Sequence, residues 1–177
     1  GFPMSLGLTA ISFILAMILG LFLTLAQLSH FRPLHWAARA FISAMRGIPM
    51  LVILFIIYFG FNTEALPAAT IAFTINCSAF ISEVFRSSFL AVDRGQWEAA
   101  YSVGMSYSQV VRAIVFPQAF RIAIPALGNI LLDLFKSTSL AAMITVSEMF
   151  MQAKIVAGAH QDYMSIYIMI AAIYWFF

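Results

Sequence analysis

Residues Asp93 to Gln118 read DRGQWEAAYSVGMSYSQVVRAIVFPQ, the only long polar and charged insert in a chain that otherwise reads as membrane. The insert is patterned. Asp93 and Gln96 have the spacing of an N-terminal capping pair: the carboxylate accepts from a free backbone N–H and the glutamine reaches back. Glu98, Ala99 and Ala100 favour helix, and Gly104 is a stop able to adopt the left-handed cap conformation. Ser106 and Gln109 repeat the capping spacing, and a second helix is expected to run to the residues before Pro117. Helix, glycine turn and helix on one side of a membrane have the form of a docking element.

Outward from the insert the chain is apolar. It has 177 residues, 63% hydrophobic and only 9% charged, with mean hydropathy +0.98, which excludes a soluble globular domain. Residues 1–29, 47–63 and 65–82 carry no charge, and each is near the roughly 17–25 residues that a helix needs to cross a bilayer. A fourth apolar span, 119–147, is interrupted by Arg121, Asp133 and Lys136, and a fifth runs from Tyr163 to Phe177. The expectation is one all-α membrane domain over 1–177 with five transmembrane helices and a cytoplasmic loop at 93–118. The fifth span rises only about 22 Å as a helix against a core of roughly 30 Å, so it reads as cut short. With no initiator Met, residues ahead of Gly1 are expected to be missing as well. The opening segment lacks the basic start of a signal peptide and reads as a first span.

Charge placement gives an orientation. Seven of the nine basic residues fall in two places: Arg32, Arg39 and Arg46 between spans one and two, and Arg86, Arg94, Arg112 and Arg121 around the insert. The positive-inside rule places both segments in the cytoplasm, with the N-terminus outside and the C-terminus inside. Pro33 to Arg46 is expected along the inner surface or as an early start of span two, with Trp36 at the interface and the arginines snorkelling. Binding of acidic lipid by this basic helix is the alternative, but orientation alone accounts for those charges. The single Cys77 excludes an internal disulfide, and no metal-type Cys/His spacing exists. The net charge of +2 gives no sign of a nucleic-acid partner.

The insert has a specific likeness. Its G-Q-W-E-A-A-x₃-G, followed by I-V-F-P-Q-A at 114–119, resembles the EAA loop of ABC importer membrane subunits, above all the polar amino-acid (HisM/GlnP-like) permeases. The likeness covers nearly the whole chain. RGIPMLVILFIIYFG at 46–60 is similar to the family's R-G-T-P-L-L-V-Q-x-F-x-x-Y-F-G, with Ile48 for the usual Thr and Ile53 for Gln. Asn76, Ala79, Phe80, Glu83 and Arg86 follow N-x-x-A-Y-x-x-E-x-x-R. Pro125, Asn129, K-S-T-S-L at 136–140 and Glu148 keep the family's order; the K-S-T-S-L form, Gly95-Gln96-Trp97-Glu98 and Ser147-Glu148-Met149 lean toward cystine-like members. The resemblance implies the type I ABC importer permease fold. It implies that Gly95, Gln96, Glu98, Ala99, Ala100, Gly104 and Pro117 build a coupling helix seated in a groove of a cytoplasmic ATPase subunit. Small Ala99 and Ala100 would permit close approach, and Gly104 would supply a bend with little room for bulk. The implied partners are cytoplasmic ABC ATPase subunits that bind ATP and Mg, a second permease subunit, identical or homologous, and an extracytoplasmic solute-binding protein. The implied location is the bacterial inner membrane.

Ionisable groups at membrane depth are functional candidates by default. Asp133 and Lys136 share a helical face and either pair with each other or border a water-filled cavity suited to a zwitterionic amino acid. Ser137, Thr138 and Ser139 add hydroxyls there or bond back to helix carbonyls. Glu83 with Arg86 reads as a local ion pair, with Glu83 also a candidate for the substrate pathway; Asn76 reads as facing a partner helix or the pathway, and Glu148 as part of an outer gate or solvated. Gly20 and Gly128 are expected to allow close helix approach. The chain itself encodes no motor: the residues before Lys136-Ser137-Thr138 lack the glycines that would cradle phosphate. It is expected to be neither an enzyme nor the holder of a cofactor. The competing class, a secondary amino-acid transporter or channel, typically shows inverted repeats; no paired halves are visible.

Overall fold

The computed structural model describes all 177 residues, and its regular elements are all helical. They are α1 (Phe2–Leu28), α2 (Arg32–Gly47), α3 (Met50–Phe55), α4 (Ala65–Leu90), α5 (Arg94–Ser102), α6 (Tyr107–Val110), α7 (Phe116–Ser137), α8 (Met149–His160) and α9 (Tyr163–Phe176). A π turn, Ile56–Gly60, extends α3. A second, Val111–Val115, joins α6 to α7, and a 3₁₀ segment, Thr138–Ile144, extends α7. Proline punctuates this order: α1 and α2 each carry one within their first two positions, where the missing N–H is not needed, and Pro117 stands at the junction of the π turn and α7.

Three stretches are long and apolar enough to cross a membrane: α1, α4 and the continuous helix Tyr107–Ile144. The expected second span is broken, because α2 and Met50–Gly60 meet at 106°. Ile48 is extended before Pro49, as a residue preceding proline must be. The fifth is represented by the 14 apolar residues of α9.

Two boundaries differ from expectation. The helix after Ser106 does not stop before Pro117. The π turn lets Phe116 N–H reach back five residues to the Val111 carbonyl, so the hydrogen-bond register changes just where proline removes a donor. The stretch between the expected fourth and fifth spans, for which no element is expected, holds a further helix, α8. The Glu148 side chain starts α8 by accepting from Phe150 N–H at 2.8 Å and Met151 N–H at 2.7 Å. Glu148 is fully buried, not solvated as one reading had it, and Ser5 Oγ donates to it at 3.3 Å.

The core is the seam between α1 and α4, with α7 packed against α4 and also touching α1. Small residues set the spacing: Ser5, Ser12, Ala16, Ala68, Ala69, Ala72, Ser78 and Ala79 have no exposed surface. A Cβ on Gly20 would lie 2.8 Å from Ile81 Cγ2 and 3.1 Å from the Ser78 carbonyl oxygen. One turn on, Thr24 Oγ1 donates across the seam to the Ser82 carbonyl at 3.1 Å. Close approach and a cross-helix hydrogen bond hold helices together where apolar burial gives little preference over lipid. Gly128 has open space around it and takes no part in such a contact.

Candidate functional site

The insert folds as a small unit with its own core. Val92, Ala100, Val110, Val115 and Ala119 are buried together, with Phe89, Trp97, Met105 and Ile114 packed around them. Ala100 therefore faces inward and fixes α5 against α6, while Glu98 and Ala99 stay on the outer surface. Asp93 caps α5, but it accepts from Gly95 N–H at 2.7 Å and not in a reciprocal pair with Gln96. The Gln96 carboxamide instead accepts from Gln118 at 3.3 Å, which ties the first and last turns of the insert. Gly95 sits so close to its cap that a Cβ would lie 2.8 Å from Asp93 Oδ1. At the second start, Ser106 N–H donates to Gln109 Oε1 at 2.8 Å, as the capping spacing predicted.

Gly104 makes the bend with φ +80°, and no atom lies within 4 Å of a Cβ placed on it. Within the chain the restriction is thus conformational, not one of space. Around it Tyr101, Val103 and Tyr107 are exposed, with Tyr107 6.0 Å from the Trp97 ring. Pro117 lies where the insert rejoins α7, exposed on the first turn.

A second constellation lies along α4 and α7. Glu83 accepts from Arg86 at 2.9 and 3.4 Å, and Arg46 Nη1 stands 4.0 Å from the same carboxylate. The Arg46 guanidinium lies 5.6 Å from the Phe80 ring centroid. Deeper, Asn76 donates to the Met45 carbonyl at 2.7 Å, at the α2–α3 break, so its amide holds the free end of a broken helix. Asp133 and Lys136 are 3.7 Å apart and largely exposed. Asn76, Asp133 and Ser137 share a cavity of about 250 Å³. A neighbouring one of about 420 Å³ brings Arg46, Glu83 and Asn129 together; Phe80 and Ile130 line both. The result is one wall, part polar and part apolar, that carries charges of both signs.

The three hydroxyls of the K-S-T-S-L stretch all bond back to carbonyls: Ser137 to Asp133, Thr138 to Phe135 and Ser139 to Lys136, at 2.7–2.8 Å. Thr138 is wholly buried and stands apart from the wall. Arg46 and Asn129 join the wall beside the residues that the sequence marks as pathway candidates. In sequence Arg46 reads as an orientation charge within the R-G-I-P stretch.

A bent, small-residue helical bundle with a self-supporting polar loop and an uncovered polar wall defines a multi-pass membrane transport subunit. The chain belongs to the family of binding-protein-dependent transport system inner membrane components, whose pattern matches residues 4–177. It is 49% identical over 180 residues to the probable amino-acid ABC transporter permease protein YckA of Bacillus subtilis (strain 168), covering 99% of this chain and 80% of that protein. It is 44% identical to the L-cystine transport system permease protein TcyB of the same organism, over 99% of this chain and 77% of that one. Among solved structures, an amino acid ABC transporter crystallised with histidines superimposes with a TM-score of 0.93 at 35% identity, over 99% of this chain and 84% of that one. The inward-facing MetNI methionine ABC transporter shares the fold, with a TM-score of 0.74 at 18% identity over 98% of this chain and 87% of that one. The fold is that of type I ABC importer permeases, and the chain is a multi-pass inner-membrane protein.

Proposed function

We propose that this chain is the permease subunit of an ATP-driven amino-acid importer. Two permease subunits, identical or homologous, enclose the pathway with their polar walls facing each other, and ATP and Mg are bound by separate cytoplasmic ATPase subunits. A solute-binding protein delivers the amino acid from outside. The N-terminus is outside and the C-terminus in the cytoplasm. The observation that carries the reading is the insert: it buries Ala100, Val110 and Val115 beneath itself and leaves Glu98, Ala99, Tyr101, Val103 and Tyr107 exposed around the bend. A loop with its own core transmits displacement as a rigid body, and its continuation through the π turn into α7 leads to the wall. Closure of the ATPase pair moves α5, and α7 follows. The Arg46, Glu83, Asp133 and Lys136 charges suit a zwitterion, whose ammonium needs a carboxylate and whose carboxylate needs a cation. The likeness to TcyB makes a cystine-type amino acid one candidate cargo.

Co-purification from the membrane tests this directly. An ATP-hydrolysing subunit should come with the chain, and uptake should stop when ATP is removed. Uptake that survives loss of ATP but collapses with the ion gradient would replace the importer by a secondary transporter.

A further inference from the structure

We propose that an acidic glycerophospholipid seats its phosphate in the cavity between the C-terminal ends of α1 and α4 and the helix α2. The cavity, of about 440 Å³, is lined by Gln27 from α1, by His35, Arg39, Ser43 and Arg46 from α2, and by Glu83 and Arg86 from α4. Three guanidinium groups therefore face one carboxylate. Glu83 is already engaged by Arg86 at 2.9 Å and approached by Arg46 at 4.0 Å. Arg39 forms no ion pair; its guanidinium lies 5.9 Å from the Trp36 ring centroid. A cavity with surplus guanidinium charge is suited to an oxyanion, and phosphate oxygens match the planar guanidinium fork.

A second observation points the same way. Gln27 is only 7% exposed, and its side-chain nitrogen has no partner at full hydrogen-bond geometry, although it is near enough to the Glu83 carboxylate to interact with it. A buried N–H that is poorly satisfied is destabilising, and Gln27 lines the cavity beside a carboxylate that two arginines already share. His35 Nδ1 donates to the Gln27 backbone carbonyl at 2.6 Å, which holds the imidazole at the rim.

The surroundings choose the source of the phosphate. Gln27 is the penultimate residue of α1 and Arg86 lies near the end of α4, so the cavity sits where two spans leave the membrane. Beside it Phe31, Leu34 and Trp36 are 65%, 46% and 65% exposed, a surface for acyl chains next to a headgroup. The cavity is on the same side of the membrane as the Asp93–Gln118 insert, because α4 leads directly into it. The lipid site does not depend on what that insert docks to.

The test is native mass spectrometry of the transporter, with its partner subunits, exchanged into mixed phosphatidylglycerol and phosphatidylcholine. Phosphatidylglycerol should be retained in preference to phosphatidylcholine. Arg39→Gln, which disturbs no ion pair, should weaken retention about fivefold. Gln27→Leu should weaken it without a change in charge, whereas Arg121→Gln, equal in charge loss to Arg39→Gln but outside the cavity, should not. Equal loss in Arg121→Gln, or equal retention of phosphatidylcholine, overturns the site. Displacement of the lipid by millimolar inorganic phosphate overturns the lipid and leaves a free-anion site. These readouts involve no ATP hydrolysis, so their failure and the failure of the importer reading are separate events.

Discussion

Gly104 offers the sharpest test of the docking loop. Its φ of +80° lies in the left-handed region, and a Cβ there meets nothing within 4 Å. An L residue pays about 1–2 kcal/mol to hold that conformation, asparagine less and a β-branched residue more. Since about 1.4 kcal/mol is tenfold in a population, Gly104→Ala should depopulate the native turn roughly 5- to 30-fold against competing turn conformations. The turn is closed by Gly104 N–H to the Tyr101 carbonyl at 3.0 Å and Met105 N–H to the Ala100 carbonyl at 3.1 Å. Losing them frees α5 from α6, and motion of α5 then no longer reaches α7. The assay is substrate-stimulated ATP hydrolysis by the permease–ATPase complex in vesicles, with its binding protein and a transported amino acid. Gly104→Asn should remain close to wild type, Gly104→Ala should lose most of the stimulation and Gly104→Val all of it, with membrane insertion unchanged in each. Wild-type stimulation in the valine variant refutes the coupling role. An asparagine variant worse than alanine would show that the limit is space against the partner, not backbone conformation.

Three further outcomes are expected. Gly20→Val should lower the thermal midpoint of the purified protein by a loss of about 1–3 kcal/mol, because its Cβ would press on Ile81 and Ser78; an unchanged midpoint would mean that the α1–α4 seam is not tight there. Asp133→Asn should reduce transport at least tenfold with expression and thermal midpoint retained, since its partner Lys136 is 3.7 Å away and both are largely exposed; unchanged transport would demote the pair to surface decoration. Glu148→Ala should destabilise the protein by about 1–3 kcal/mol, because two N-terminal N–H groups of α8 and the Ser5 hydroxyl lose their acceptor. Glu148→Gln, which keeps one acceptor oxygen, should cost less, and equal losses in the two variants would contradict the capping role.

What the sequence made legible follows from which forces are local. Capping at Asp93 and Ser106, the left-handed bend at Gly104 and the Glu83–Arg86 pair are set within a few residues, and each is found. Position along the chain could not reveal that Ala100 points into a core made with Val110 and Val115, since Ala99 and Ala100 are the same residue and only the register of α5 separates them. The passage through Pro117 was hidden for a different reason. Proline forbids one hydrogen bond, but a π turn supplies another from Phe116 to Val111, and no residue type announces a π turn. Glu148 shows the same limit in electrostatic form. A carboxylate between two apolar stretches reads as solvated until the fold brings Ser5, more than a hundred residues away in sequence, to its side. The wall is the extreme case: Arg46, Asn76, Glu83, Asn129 and Asp133 come from three helices and acquire meaning only as neighbours. The uncovered charge of that wall is the reason to expect a second subunit opposite it. Exposed Asp133 and Lys136 beside apolar Ile130, Leu131 and Leu132 would be costly against lipid and are natural against a water-filled pathway.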